Sequence, residues 1–229
     1  MENRSEKNPP CARIEGDKLI IDALGREWII SHKEDMEALW EKLDEANFAD
    51  ERIPYWAELW PASLGLAEWL GLRNAELAGG YCLDCGCGLG FTALVGSWLG
   101  ARVLACDYEL AALQAVQKSA QLSGVSSPEC ICIDWRNTAL APASIRRLWA
   151  ADIIYESRSV QPVFNFMRSC MGSGSRAWIA EPGRAIFSQF IDLCNKQDCE
   201  IVPVFRIDVE PPMHLESRAH ITIWEMTAE

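Results

Sequence analysis

The stretch "LDCGCGLGF", residues 83 to 91, sets one aspartate and three glycines at alternate positions between an apolar strand pattern and an apolar helix pattern. Glycines at such a junction let the backbone turn sharply and let a ligand approach the main chain. The junction opens a regular alternation. The strand "YCLDC" leads into the helix "FTALVGSWL", which stops at Gly100, and "RVLACD" leads into "ELAALQAVQKSAQLS", which stops at Gly124. "ECICID" is a third strand, "RRLWAADIIY" carries a fourth before the helix "VQPVFNFMRSCM", and "RAWIAE" a fifth before "AIFSQFIDLCNK". In that last helix Phe187, Phe190, Ile191 and Cys194 share one face. Strands alternating with helices imply a parallel sheet covered on both faces. The final strands, "EIVPVFRIDV" and "AHITIWEM", have no helix between them, so one is expected to insert antiparallel.

Upstream the pattern differs. "ARIEGDKLII" and "REWIIS" read as two strands of a β-hairpin after an irregular start at residues 1–10. "HKEDMEALWEKLDEA" places Met36, Leu39, Trp40 and Leu43 on one face of a helix. "ERIPYWAELWP" is an aromatic connector, and "ASLGLAEWLGLRNAEL" a second helix starting near Pro61 or Ser63. The expected organisation is an extension over residues 1–52 (tail, hairpin and helix) and a main domain over 53–229.

The chain has 229 residues, 49% of them apolar, enough for a sizeable core. No run approaches the roughly 18 apolar residues that a membrane span needs. The polar start lacks a hydrophobic leader, so a cytoplasmic protein is expected. Of the ten cysteines, Cys82, Cys106, Cys130 and Cys132 sit in apolar runs, where free cysteine behaves as a small hydrophobe. The net charge of −12, with no Lys/Arg-rich run, disfavours nucleic acid and better fits basic proteins, cationic peptides or small amines. Oligomeric state is not readable from the sequence.

The glycine spacing narrows the ligand. A dinucleotide fingerprint starting at Gly86 would place its third glycine at position 91, which is Phe91. This disfavours an NAD-dependent oxidoreductase, and no phosphate loop is present. Cys82, Cys85 and Cys87 have no second ligand pair downstream, so no metal site is expected. The spacing, with Asp84 ahead of it, resembles the first motif of class I S-adenosylmethionine-dependent methyltransferases. That resemblance implies a Rossmann-like seven-strand, mostly parallel α/β sheet with an antiparallel final strand, here preceded by the N-terminal hairpin and helix. It implies S-adenosylmethionine as cofactor, held around Asp84, Cys85, Gly86, Gly88 and Gly90.

Two further acids support the same reading. Asp107, 23 residues past Asp84 and followed by Tyr108, ends "RVLACD", where such folds place an acid on the ribose hydroxyls. Asp134 ends the third strand, and the resemblance places it at the adenine amino group with Trp135 packing on the ring. After the fourth strand, Asp152 and Tyr155 form D-x-x-Y. "ADIIYES" there resembles the seven-strand protein-lysine methyltransferases. "IPYWAELWPASLGLAEWL" is similar to that family's segment before the glycine turn, with Trp60 flanking the cofactor. "AEPGR", residues 180–184, resembles the D-P-G-R segment of the branch that includes the electron-transfer-flavoprotein lysine methyltransferase. The [D/N]-P-P-Y of adenine and glutamine amino-methyltransferases is absent, because Ile153 and Ile154 stand in the middle.

The expected function is therefore S-adenosylmethionine-dependent N-methylation of a protein lysine, with Asp152 orienting the incoming amine and Tyr155 offering an aromatic face. The alternatives are methylation of a small amine or other metabolite, and a non-catalytic cofactor-binding module. Glu156, Arg158 and Arg184 fall near the same rim and fit substrate recruitment and surface ion pairs equally well.

Overall fold

The computed structural model describes residues 9–32, 54–137, 140–210 and 218–228. The helix expected over residues 32–46 falls, beyond His32, outside this set, as does the tail at 1–8.

Three antiparallel strands open the chain: β1 (Cys11–Glu15), β2 (Lys18–Ala23) and β3 (Arg26–Ser31). The expected hairpin is thus extended by a strand, because a turn at Gly16 and Asp17 divides "ARIEGDKLII" in two. Next come helix α1 (Pro61–Leu72) and the single turn α2 (Asn74–Leu77). Pro61 occupies the first position of α1, where a missing N–H costs nothing and the fixed φ suits the helix.

The alternating region then runs β4 (Tyr81–Cys85), α3 (Phe91–Trp98), β5 (Arg102–Asp107), α4 (Leu110–Ser123), β6 (Glu129–Cys132) and β7 (Ile145–Ala151). It continues through α5 (Ser157–Cys170), β8 (Met171–Glu181), α6 (Phe187–Lys196), β9 (Cys199–Val209) and β10 (Ala219–Ala228). Seven strands form one sheet in the order β6-β5-β4-β7-β8-β10-β9. The pairs from β6 to β8 are parallel, whereas β10 inserts antiparallel between β8 and β9. The expected sheet, including its antiparallel last strand, is the one observed. Strand order reverses beside β4, so the crevice for a ligand opens at the carboxyl ends of β4 and β7.

Both faces of the sheet are apolar. Cys82, Ala105, Trp149 and Trp178 point to the face covered by α1, α3 and α4, and Leu83, Cys85, Cys106 and Ile179 to the face covered by α5 and α6. The N-terminal sheet joins the first of these layers. The Trp28 ring, fully buried, meets Phe91 and Trp98 edge-on at 5.7 and 5.6 Å. Among the described residues, the outer edge of β3 is met by side chains of α4 rather than by another strand. The Ile29 and Ser31 N–H groups donate to the hydroxyls of Ser123 (2.9 Å) and Ser119 (2.8 Å), and Ser123 donates back to the Ile29 carbonyl. Among the described residues no helix is long and apolar enough to cross a membrane.

Candidate active site

A cleft of about 390 Å³ opens at the carboxyl ends of the parallel strands, within the roughly 300–1,000 Å³ of small-molecule sites. Each element that ends there contributes. The turn after β4 supplies Gly86 and Gly88, the end of β5 Asp107, Tyr108 and Glu109, and the segment after β6 Asp134, Trp135 and Arg136. The end of β7 and the start of α5 supply Asp152, Ile153, Tyr155, Glu156 and Arg158, and the connector before α1 supplies Tyr55, Trp56 and Trp60.

The glycine turn is built for close approach. Gly86 and Gly88 have φ of 67° and 51°, a left-handed conformation that costs side-chain-bearing residues energy. A Cβ on Gly86 would meet Ile153 and Trp135 at 2.8 and 2.9 Å, and one on Gly88 would lie 3.2 Å from the Trp56 carbonyl. Gly90 lies deeper, against the Val116 side chain, and caps the start of α3.

Asp84, Cys85 and Gly90 are not among the residues that line the cleft. Strand alternation turns Asp84 under the first turn of α3, where it is 1% exposed and accepts a hydrogen bond of 2.6 Å from the Thr92 hydroxyl. Burial pushes its carboxyl up to about 7, against the Thr92 bond. The Trp149 indole N–H lies close by but outside hydrogen-bonding geometry. Asp84 therefore fastens the turn to the helix from beneath. Cys82 and Cys85 face opposite sides of the sheet, so the three cysteines of the turn do not converge on a common point. Burial also raises their thiols, that of Cys82 to about 12, which disfavours thiolate chemistry.

Asp107 does face the cleft. Its Oδ2 accepts from the Gly88 N–H at 2.9 Å and its Oδ1 from the Glu109 N–H at 3.0 Å. Each oxygen keeps a lone pair for a ligand hydroxyl. Burial pushes this carboxyl up, and the two N–H bonds oppose the shift. Asp134 is gripped by Arg136, with Nε at 2.9 Å from both carboxylate oxygens, which holds its carboxyl below the usual range. The Trp135 ring lies against the glycine turn, and its indole N–H is buried without a hydrogen-bond partner among the described residues. A glycine cradle, a carboxylate with open lone pairs and an orphaned indole N–H on one cleft fit a nucleoside ligand.

The rest of the lining is aromatic and charged. The Tyr55 and Tyr155 rings meet at 5.2 Å, and Tyr55 meets Trp60 at 6.0 Å. The Trp60 indole donates to the Tyr55 carbonyl at 2.9 Å, locking the connector. Burial, then Glu156, pushes the Tyr155 phenol up to about 12, so it stays neutral at physiological pH. Asp152, with φ of 55°, sits in the left-handed region that aspartate tolerates better than most residues, and its N–H bonds the Ala180 carbonyl at 2.9 Å. Its carboxylate is held by Arg184, Nε to Oδ1 at 2.5 Å and Nη2 to Oδ2 at 2.6 Å. Burial raises this carboxyl and Arg184 pulls it back down. Tyr55 and Trp56 had no assigned role in the sequence, although the density of aromatics in "IPYWAELW" was a signal.

No family model matches the chain. It is 31% identical over 139 residues, 59% of its length, to the electron transfer flavoprotein beta subunit lysine methyltransferase of Xenopus laevis, of which 55% is covered. The mouse protein of the same name is 28% identical over 151 residues, 65% of this chain and 57% of the relative. The chain thus spans about half the length of the curated relatives it matches. Among solved structures, a proposed RNA methyltransferase of Pyrococcus horikoshii superposes with a TM-score of 0.59 at 14% identity, covering 85% of this chain and 96% of that one. TYW2 of P. horikoshii, in complex with MeSAdo, gives 0.54 at 12% identity over 93% and 72%. The fold is that of the class I methyltransferases, and the sequence similarity to the lysine methyltransferases agrees with the resemblance carried by the motifs.

Proposed function

We propose that this chain is an S-adenosylmethionine-dependent methyltransferase that acts on a lysine side chain of a protein, the first acceptor to test being an electron transfer flavoprotein beta subunit. The observation that carries the reading is the mixed lining of one cleft. A glycine cradle with Asp107 suits a nucleoside, and the buried acid Asp152 in a lining that also holds the paired rings of Tyr55 and Tyr155 suits an amine. The similarity to relatives bearing that name supports the choice of acceptor.

In this reading Gly86 and Gly88 admit the cofactor to the backbone, Asp107 receives the ribose hydroxyls, and Asp134 with Trp135 borders the adenine. Asp84, Cys85 and Gly90 act from beneath by shaping the turn. Tyr108 and Trp60 complete the walls. When bound, S-adenosylmethionine supplies an activated methyl that passes to an attacking neutral amine, leaving the thioether and releasing one proton. The chain must therefore admit a deprotonated lysine. At pH 7 that costs about 4–5 kcal/mol from a reference pKa near 10.4. Exclusion of water by Ile153 and the neighbouring side chains lowers this cost by disfavouring the ammonium, whereas the Tyr155 face guides the incoming side chain. Asp152 orients the amine by accepting its N–H bonds. All ten cysteines are thiols, in keeping with a reducing compartment such as the cytoplasm.

Radiolabelled S-adenosylmethionine incubated with the protein and, in parallel, with purified electron transfer flavoprotein or a host lysate tests this reading. Label in the beta subunit, recovered as methyl-lysine, is the expected result. Label confined to small molecules of a host lysate would overturn it in favour of a metabolite acceptor.

A further inference from the structure

We propose that Arg184 is a positioning residue that neutralises the Asp152 carboxylate from behind, so that the acid orients an incoming amine without trapping it as an ammonium. The proposal rests on the amine-methylation reading and resolves a conflict inside it. A bare carboxylate within about 4–6 Å of an amine raises its pKa by about 1–3 units, which works against forming the nucleophile. An acid beside the reacting end is useful only if its charge is answered elsewhere.

The geometry provides that answer. Asp152 lines the cleft, yet its side chain is 1% exposed, and both carboxylate oxygens are engaged by one guanidinium in a fork. Arg184 is not among the cleft-lining residues, so it acts through Asp152. Each carboxylate oxygen retains a lone pair for an N–H of the substrate. The guanidinium is itself fixed. Its carbon stands 5.6 Å from the centre of the Trp60 ring, and the N–H groups of Gly183 and Arg184 both donate to Glu181 Oε2, at 2.7 and 3.0 Å. Glu181 closes β8 as Asp152 follows β7, so two neighbouring parallel strands deliver the pair.

The other charges and titratable groups around the pair are Glu181 at the end of β8, Tyr55 on the connector, Tyr155, Glu156 and Arg158 before and within the first turn of α5, and Asp107 and Glu109 across the cleft. The acids outnumber the arginines, so removing Arg184 leaves the amine facing a strongly anionic surface. Both consequences have the same sign. The Asp152 carboxyl titrates higher without its partner, and the amine bound beside the ionised acid holds its proton to higher pH.

The test compares wild type with Arg184→Gln, Arg184→Lys and the double variant Asp152→Asn/Arg184→Gln. One readout is the carboxyl carbon-13 NMR titration of Asp152 in the protein alone, assigned by its loss in Asp152→Asn. The other is the pH profile of kcat/KM for a lysine-bearing acceptor. Arg184→Gln should raise the Asp152 midpoint and move the rate profile to higher pH by about one unit or more. Arg184→Lys, which keeps the charge but loses the fork, should keep the wild-type profile at a lower kcat. The double variant should lose the displacement. A uniform drop at every pH, with the Asp152 titration unmoved, would mean that Arg184 is only a structural prop and would overturn the proposal. A lysine variant whose profile is displaced from the wild type by a unit or more would overturn it too, and decides the matter if glutamine prevents folding. A wild type that makes no methyl-lysine at any pH defeats the lysine reading and the amine half of this proposal, whereas the carboxyl titration still decides whether Arg184 sets the charge of Asp152.

Discussion

The Thr92 hydroxyl reaches across the glycine turn to Asp84 at 2.6 Å, joining the end of β4 to the first turn of α3 beneath the cleft. The acid it holds is buried and titrates near 7 in the folded chain, against an ordinary value of 3.8. A raised folded pKa means that the native state binds the proton more tightly than the unfolded chain does. The stabilisation is therefore full below about pH 4 and is lost as pH rises through about 7. Urea unfolding from pH 4 to 8 should show stability declining over this window. Asp84→Asn, which is neutral throughout, should flatten that decline by up to a few kcal/mol.

Gly88→Ala places a methyl 3.2 Å from the Trp56 carbonyl at a φ of 51°. The conformational cost is about 1–2 kcal/mol, and the methyl also fills the cradle. Calorimetric binding of S-adenosylhomocysteine should weaken by tenfold or more, with only a modest fall in melting temperature. Unchanged affinity would place the ligand elsewhere.

Asp107 serves two masters, the Gly88 and Glu109 N–H groups and, in our reading, the ribose. Asp107→Asn keeps one acceptor oxygen but loses the charge. Hydrogen bonds to charged groups are worth about 1.5–3 kcal/mol, so S-adenosylhomocysteine affinity should fall by roughly ten- to a hundredfold. Asp107→Asn also leaves one of the two N–H groups facing an amide donor, and Asp107→Ala, which takes the acceptor from both, should destabilise the fold further. Denaturant titration beside calorimetry separates the two effects.

Ser123→Ala removes the acceptor of the Ile29 N–H and the donor to the Ile29 carbonyl. An unsatisfied buried group costs about 1–3 kcal/mol. Hydrogen exchange at the Ile29 amide should accelerate by tenfold or more, while amides of β4 and β5 hold their protection.

The sheet was legible because its signals are local. Apart from β6, each parallel strand is followed within a few residues by a glycine or an acid and then by a helical period, and Gly100 and Gly124 end the helices they follow. The antiparallel insertion of β10 followed from the missing helix between the last two strands. The site was legible only where chain direction fixes position. Asp107 ends its strand, Asp134 and Asp152 follow theirs, and all three reach the cleft, but Asp84, placed in the same set, is turned beneath α3 by the period-2 alternation of β4. The grip of Arg184 on Asp152 spans 32 residues and depends on β7 and β8 being neighbours. No spacing in the sequence encodes it. Likewise Tyr55 becomes a wall only when the connector folds across the strand ends to meet Tyr155.

The clasp between β3 and α4 has a consequence beyond holding the small sheet in place. A strand at the border of a sheet ordinarily offers a row of bare amide donors, a template on which another chain can crystallise into fibrils. Here the donors of Ile29 and Ser31 are already engaged by hydroxyls from a helix. Because a helix cannot propagate a ladder, this border is a dead end for strand-by-strand growth.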